Sequence, residues 1–94
     1  MAIVPNRLRL FSTAVTNDIY EVLDNVTAGT THTLTERGVG QIVTVKDGTG
    51  NAGTYNITVV DALGALIDGQ TSDTLNQNYQ SRDYYWNGYA WRIK

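Results

Sequence analysis

The sequence contains no cysteine. Disulfides, thiolate metal sites and cysteine nucleophiles are therefore excluded. The disulfide staples on which many small secreted domains rely are excluded with them. Charge is sparse: seven Lys and Arg stand against nine Asp and Glu, for a net charge of -2. The cations are scattered, so the chain lacks the clustered Lys and Arg that phosphate binding needs, and no nucleic-acid partner is expected. No apolar run is long enough for a membrane helix, and Pro5, Asn6, Arg7 and Arg9 interrupt the only place for a signal h-region. The chain is therefore read as made in a cytoplasm, with no membrane partner. Good helix formers never run together; residues 62–66 are weakly helical, and Gly64 interrupts them.

What the chain does have is thirteen Thr, eight Asn and nine Gly in 94 residues. Thr suits a pleated strand, and Asn and Gly suit turns. The hydrophobic pattern has period two. It predicts strands at residues 7–11, 19–23, 31–35, 41–46, 55–60, 81–86 and 89–93, with Leu66 and Ile67 as a short edge or loop anchor. In the fifth of these Tyr55, Ile57 and Val59 share a face. Short strands separated by turn signals predict an all-β fold: a small antiparallel β sandwich or jelly-roll-like barrel. Residues 1–6 read as an N-terminal arm and 7–94 as a single β domain. A chain this short buries apolar surface worth about what ordering it costs, so burial against partner subunits would help it.

Two turns can be specified. Residues 47–54 carry three glycines and predict a long, shaped hairpin loop. Asn87-Gly88 predicts a type I′ turn that pairs Trp86 with Tyr89 and Tyr84 with Trp91. One face of that hairpin would then carry Tyr84, Trp86, Tyr89, Trp91 and Ile93, and the other Asp83 opposite Arg92.

The order Lys46-Asp47-x-x-Gly50-Asn51-Ala52-Gly53 followed by Asn56-Ile57-Thr58-Val59 resembles a β domain of tailed-phage virion proteins. That domain occurs in head decoration and head fibre proteins and at tail-fibre ends. Ile42 to Val45, Ile67-Asp68-Gly69, Asn76-Gln77-Asn78-Tyr79, Tyr85, Asn87-Gly88 and Trp91 extend the match over about three quarters of the chain. The resemblance implies a β sandwich or barrel, usually in a homotrimer, with no catalytic residues. The chain departs from the pattern at Arg82, where an apolar residue is usual, and at Leu34-Thr35, where a Leu-Pro pair is usual. Its last hairpin is also more aromatic.

No constellation in the sequence points to an enzyme. His32 is the sole histidine, Thr31-His32-Thr33 reads as strand, and no serine sits in an elbow-like turn. One histidine without cysteine or paired carboxylates gives too few metal ligands. The carboxylates lie singly near turns, whereas glycoside hydrolysis needs two across one bond. Asp47-Gly48-Thr49-Gly50-Asn51 lacks the further acidic ligands of a calcium loop and reads as side chains capping their own loop. No phosphate loop follows Gly48 either. No cofactor is expected. Asn25-Val26-Thr27 and Asn56-Ile57-Thr58 match the glycosylation pattern by chance in a chain with no signal peptide.

Six of the nine aromatics fall between Tyr79 and Trp91. Trp91 and Tyr84 are assigned to the core. Trp86 and Tyr89 flank the hairpin tip and are expected to touch a neighbouring subunit, or else to stack on a sugar. Arg7, Leu8, Arg9 and Leu10 alternate as an amphipathic strand that can pair with a neighbour's sheet edge. The expectation is a capsid decoration or cement protein: a virion component assembled in a bacterial cytoplasm, self-associating and bound to the major capsid protein or another virion protein. The chain is read as complete, without the shaft a fibre needs. The alternative is a tail-fibre or head-fibre tip binding a host glycan, with Trp86 and Tyr89 exposed together.

Overall fold

The computed structural model describes residues 17–35 and 38–94. The expected strand at Arg7, Leu8, Arg9 and Leu10, and the arm before it, lie outside the described residues.

Among the described residues seven strands are formed: β1 (Asn17–Val22), β2 (Thr30–Leu34), β3 (Ile42–Asp47), β4 (Ile57–Asp61), β5 (Asp73–Leu75), β6 (Ser81–Trp86) and β7 (Trp91–Ile93). The described residues contain no helix. One sheet has the order β1-β3-β6-β7 and the other β2-β4-β5. Val43 and Val45 point inward from β3 between half-buried Ile42, Thr44 and Lys46, and Ile57 and Val59 do the same on β4. This alternation is the period-two pattern of the sequence made physical. Tyr20, Val22, Val43, Val45, Tyr84, Trp86 and Trp91 of the first sheet share a single core with Leu34, Ile57, Val59 and Leu75 of the second.

The all-β reading holds, but the sheets are mixed and not antiparallel. β1 pairs with β3 in parallel, and β2 pairs with β4 in parallel. The cause is the path of the chain: β1 to β4 alternate between the two sheets, so each strand meets the next but one, running the same way. The other pairs are antiparallel: β3 with β6, β4 with β5 and β6 with β7. For the same reason residues 47–54 are not a hairpin loop. They carry the chain from β3 in one sheet to β4 in the other.

The strand Asp73–Leu75 was not anticipated, because three residues are too few to show a period. Ile67 proves to be an anchor: it bridges Gln70 and Trp91. Through that bridge residues 66–68 cover the outer edge of β7, the Trp91 amide donating to Leu66 O at 2.9 Å and the Asp68 amide to Trp91 O at 3.0 Å.

The terminal hairpin closes one residue later than a two-residue Asn-Gly turn would. Trp86 pairs with Trp91, Tyr85 with Arg92 and Tyr84 with Ile93. The Asn87 side chain is the reason: its Oδ1 accepts the amides of Tyr89 and Ala90, both at 2.9 Å, which draws residues 87–90 into the turn. Gly88 supplies the positive φ of 100° there. The partner shift is two residues, so Tyr84, Trp86, Trp91 and Ile93 keep a common face.

Candidate functional site

Two of the stretches that carry the resemblance, Lys46 to Gly53 and Asn76 to Tyr79, meet at one end of the sandwich. Loops 23–29, 48–56 and 76–80 converge there on Asp47, the last residue of β3, which is fully buried. Its Oδ2 accepts the backbone amides of Ala52 and Tyr79, each at 2.9 Å. Its Oδ1 accepts the Thr49 amide at 3.2 Å, the Thr49 hydroxyl at 2.9 Å and the Asn25 Nδ2 at 3.2 Å. Burial alone would raise the pKa of this carboxyl. The amides of Ala52 and Tyr79, with Asn25 and Thr49, outweigh burial and hold it well below the usual carboxylate range.

The ring of contacts around Asp47 is continuous. Asn25, also fully buried, gives its other proton to Tyr55 O at 3.1 Å and accepts Asn51 Nδ2 on its backbone carbonyl at 3.2 Å. Asn78 Oδ1 accepts the Gly53 amide at 2.9 Å, and Asn56 Nδ2 donates to Ala52 O at 2.7 Å. Gly50 has a φ of 80°, and a Cβ placed on it would lie 2.4 Å from the Tyr79 ring. Lys46 donates to Tyr79 O and sits 5.7 Å from its ring centroid, so the clasp closes over the loop from outside. Asp47 does cap its own loop. Sequence spacing did not show that it also reaches Tyr79 and Asn25, in loops far along the chain. Every lone pair it offers faces an N–H or O–H, so the carboxylate is committed to the fold and not presented to a ligand.

Other inward carboxylates are committed in the same way. Asp61 accepts the Trp91 Nε1 at 2.9 Å and the amides of Leu63 and Ala65. Asp73 accepts Arg82 Nη1 at 2.8 Å and the Tyr84 hydroxyl at 2.6 Å, which ties the two sheets together. Arg82 therefore has an ion-pair partner across the core, and that hydrogen bond raises its pKa. Burial, and then the bond to Asp73, raises the pKa of Tyr84.

His32 is half-buried on the inward side of β2. Its Nε2 meets both Thr30 Oγ1 at 3.2 Å and Asp24 Oδ1 at 3.0 Å. A catalytic triad needs nucleophile and carboxylate on opposite ring nitrogens. Here both sit on one, so the geometry does not relay a proton.

At the opposite end the structure separates the two aromatics assigned to the hairpin tip. Tyr89 is 89% exposed, whereas Trp86 is 6% exposed and packs on Trp91 with ring centroids 5.4 Å apart. The corrected register explains it: Trp86 pairs with Trp91 inside the sandwich, and the turn carries Tyr89 alone outward. Val39, also exposed, reaches the same tip, 3.6 Å from where a Cβ on Gly88 would stand. Leu63 and Leu66 are exposed on the neighbouring loop. Among the described residues no group of three or more His, Cys, Asp or Glu is arranged to hold a metal. No family model matches the chain, and no curated protein matches it.

Proposed function

We propose that the protein is a structural component of a tailed-phage particle: a decoration or cement protein that assembles as a homotrimer on the head and stabilises it through contacts with its own copies and the major capsid protein. The observation that carries this reading is the joint at Asp47. Two of the stretches by which the chain resembles phage virion β domains, Lys46 to Gly53 and Asn76 to Tyr79, lie among the residues that pin three loops together. The resemblance thus falls on fold-building geometry, as it would in a protein whose task is to be a durable scaffold.

Two surfaces support assembly. The outward face of the second sheet carries Thr31, Thr33, Thr58, Val60 and Thr74, in rows set by the strand register, without a charge among them. Another protein can cover such a face without desolvating an ion. At the hairpin end, Tyr89 offers a large rigid side chain of the kind that anchors interfaces. The sugar-platform alternative needed Trp86 and Tyr89 exposed together, and the burial of Trp86 leaves it without that support.

Gold-labelled antibody staining of intact particles of the phage that carries the gene tests the proposal. Label spread over the head is the expected result, together with a trimer mass for the purified protein in light scattering. Label confined to the tail or to sparse projections would replace decoration with a fibre role. Unlabelled particles would overturn both.

A further inference from the structure

Beside the hairpin, an open depression of about 510 Å³ is lined by Leu66, Asp68, Gly69, Ala90 and Arg92. Its volume is within the range of small-molecule sites. Leu66 and Ala90 give it an apolar wall. Asp68 and Arg92 give it one charge of each sign, and they form no ion pair with each other or with another described residue. Both are held from behind by backbone. Asp68 Oδ1 accepts the Ile93 amide at 3.1 Å, and no described group bonds to Oδ2. Arg92 Nη1 donates to Trp91 O at 3.4 Å, which leaves the rest of the guanidinium available. Gly69, with a φ of 80° and nothing within 4 Å of its missing Cβ, keeps the mouth clear.

We propose that this depression binds a neutral sugar. The inference goes beyond the structural role proposed above and does not rest on it. An anion would gain from Arg92 and be opposed by Asp68, and a cation the reverse; a neutral polyol meets neither penalty. One hydroxyl donates to Asp68 Oδ2 while a neighbouring hydroxyl accepts from Arg92. The C–H face of the ring lies against Leu66 and Ala90. Sequence reading gave Trp86 and Tyr89 together as the alternative sugar platform; the proposed site lies instead at Leu66, Asp68, Gly69, Ala90 and Arg92.

The test is an amide-resolved NMR titration of the full chain with methyl glucoside, methyl galactoside, rhamnose and N-acetylglucosamine. Saturable shifts at Asp68, Gly69, Ala90 and Arg92 with at least one sugar, in the millimolar range, are expected. Arg92→Met should weaken that binding at least tenfold. So should Asp68→Asn, whose amide oxygen still caps Ile93 and so keeps the loop in place. Free leucine, which carries both charges, is the control: tighter binding of leucine than of every sugar at the same amides would overturn the assignment. Absence of saturation with all four sugars would overturn it too, as would binding that survives both substitutions in folded protein.

Discussion

Replacing Asp47 by asparagine keeps the size of the side chain and changes what it offers five donors. The carboxylate accepts on both oxygens; the amide accepts on one and presents two protons of its own on the other. If the new NH₂ takes the Oδ2 place, it faces the amides of Ala52 and Tyr79 and leaves both without an acceptor. If it takes the Oδ1 place, it faces the Thr49 amide and Asn25 Nδ2, and only the Thr49 hydroxyl can turn to receive it. The second arrangement is the cheaper. It still strands the Thr49 amide and one Asn25 proton, and it removes the charge from the bonds that remain. Each stranded buried donor costs about 1–3 kcal/mol, so the variant should lose about 3 kcal/mol. For a domain of this size that is a fall in Tm of roughly 12–24 °C. Trp86 and Trp91 lie in the core, so their fluorescence during urea unfolding reports the loss directly. A change below about 0.5 kcal/mol would refute the claim that Asp47 holds three loops together.

The same carboxylate sets an acid limit. Its pKa is depressed in the fold, so its contribution is complete above the unfolded value near 3.8 and is lost as pH falls below that toward the folded value. Wild-type stability should therefore decline more steeply between pH 5 and pH 2 than that of Asp47→Asn, and parallel declines in urea titrations would contradict the assignment. Trp91→Phe keeps most of the packing but removes the Nε1 bond to Asp61, so it should cost about 1.5–3 kcal/mol in the same unfolding assay. Gly50→Ala meets both a positive φ and the Tyr79 ring. It should destabilise by about 1–2 kcal/mol, and adding Tyr79→Ala should recover the steric part but not the backbone part. Tyr89→Ser should leave Tm unchanged while weakening trimer formation or particle binding; a large fall in Tm would show that Tyr89 belongs to the monomer fold.

The strands were legible wherever a half-buried period of two ran for five or six residues, as in β3, β4 and β6. Asp73–Leu75 was illegible because its length shows no period, and it is a strand only because Leu75 lands opposite Ile57. The terminal hairpin was half legible. Asn87-Gly88 announced a turn, and the face shared by Tyr84, Trp86, Trp91 and Ile93 survived, since a two-residue slip preserves parity. The turn's length was decided by where the Asn87 side chain put its two hydrogen bonds, and that decision moved Trp86 from surface to core. At the other end, Asp47 was visible as a capping residue of its own loop. Its contacts with Asn25 and Tyr79 span 22 and 32 residues, a separation over which local pattern carries no signal.

By itself, then, the sequence determined the class of the fold, because alternation, β-branched residues and turn chemistry are local properties that each short segment states for itself. It also excluded disulfides, thiolate ligands and a cysteine nucleophile, because the absence of cysteine is a fact of composition. The tertiary structure alone decided that β1 to β4 alternate between sheets and so pair in parallel. It also decided that a buried carboxylate joins three loops, and that Asp68 and Arg92, without an ion pair among the described residues, line one depression. Those are non-local outcomes: they depend on which distant segments the closing of a shared core brings into contact.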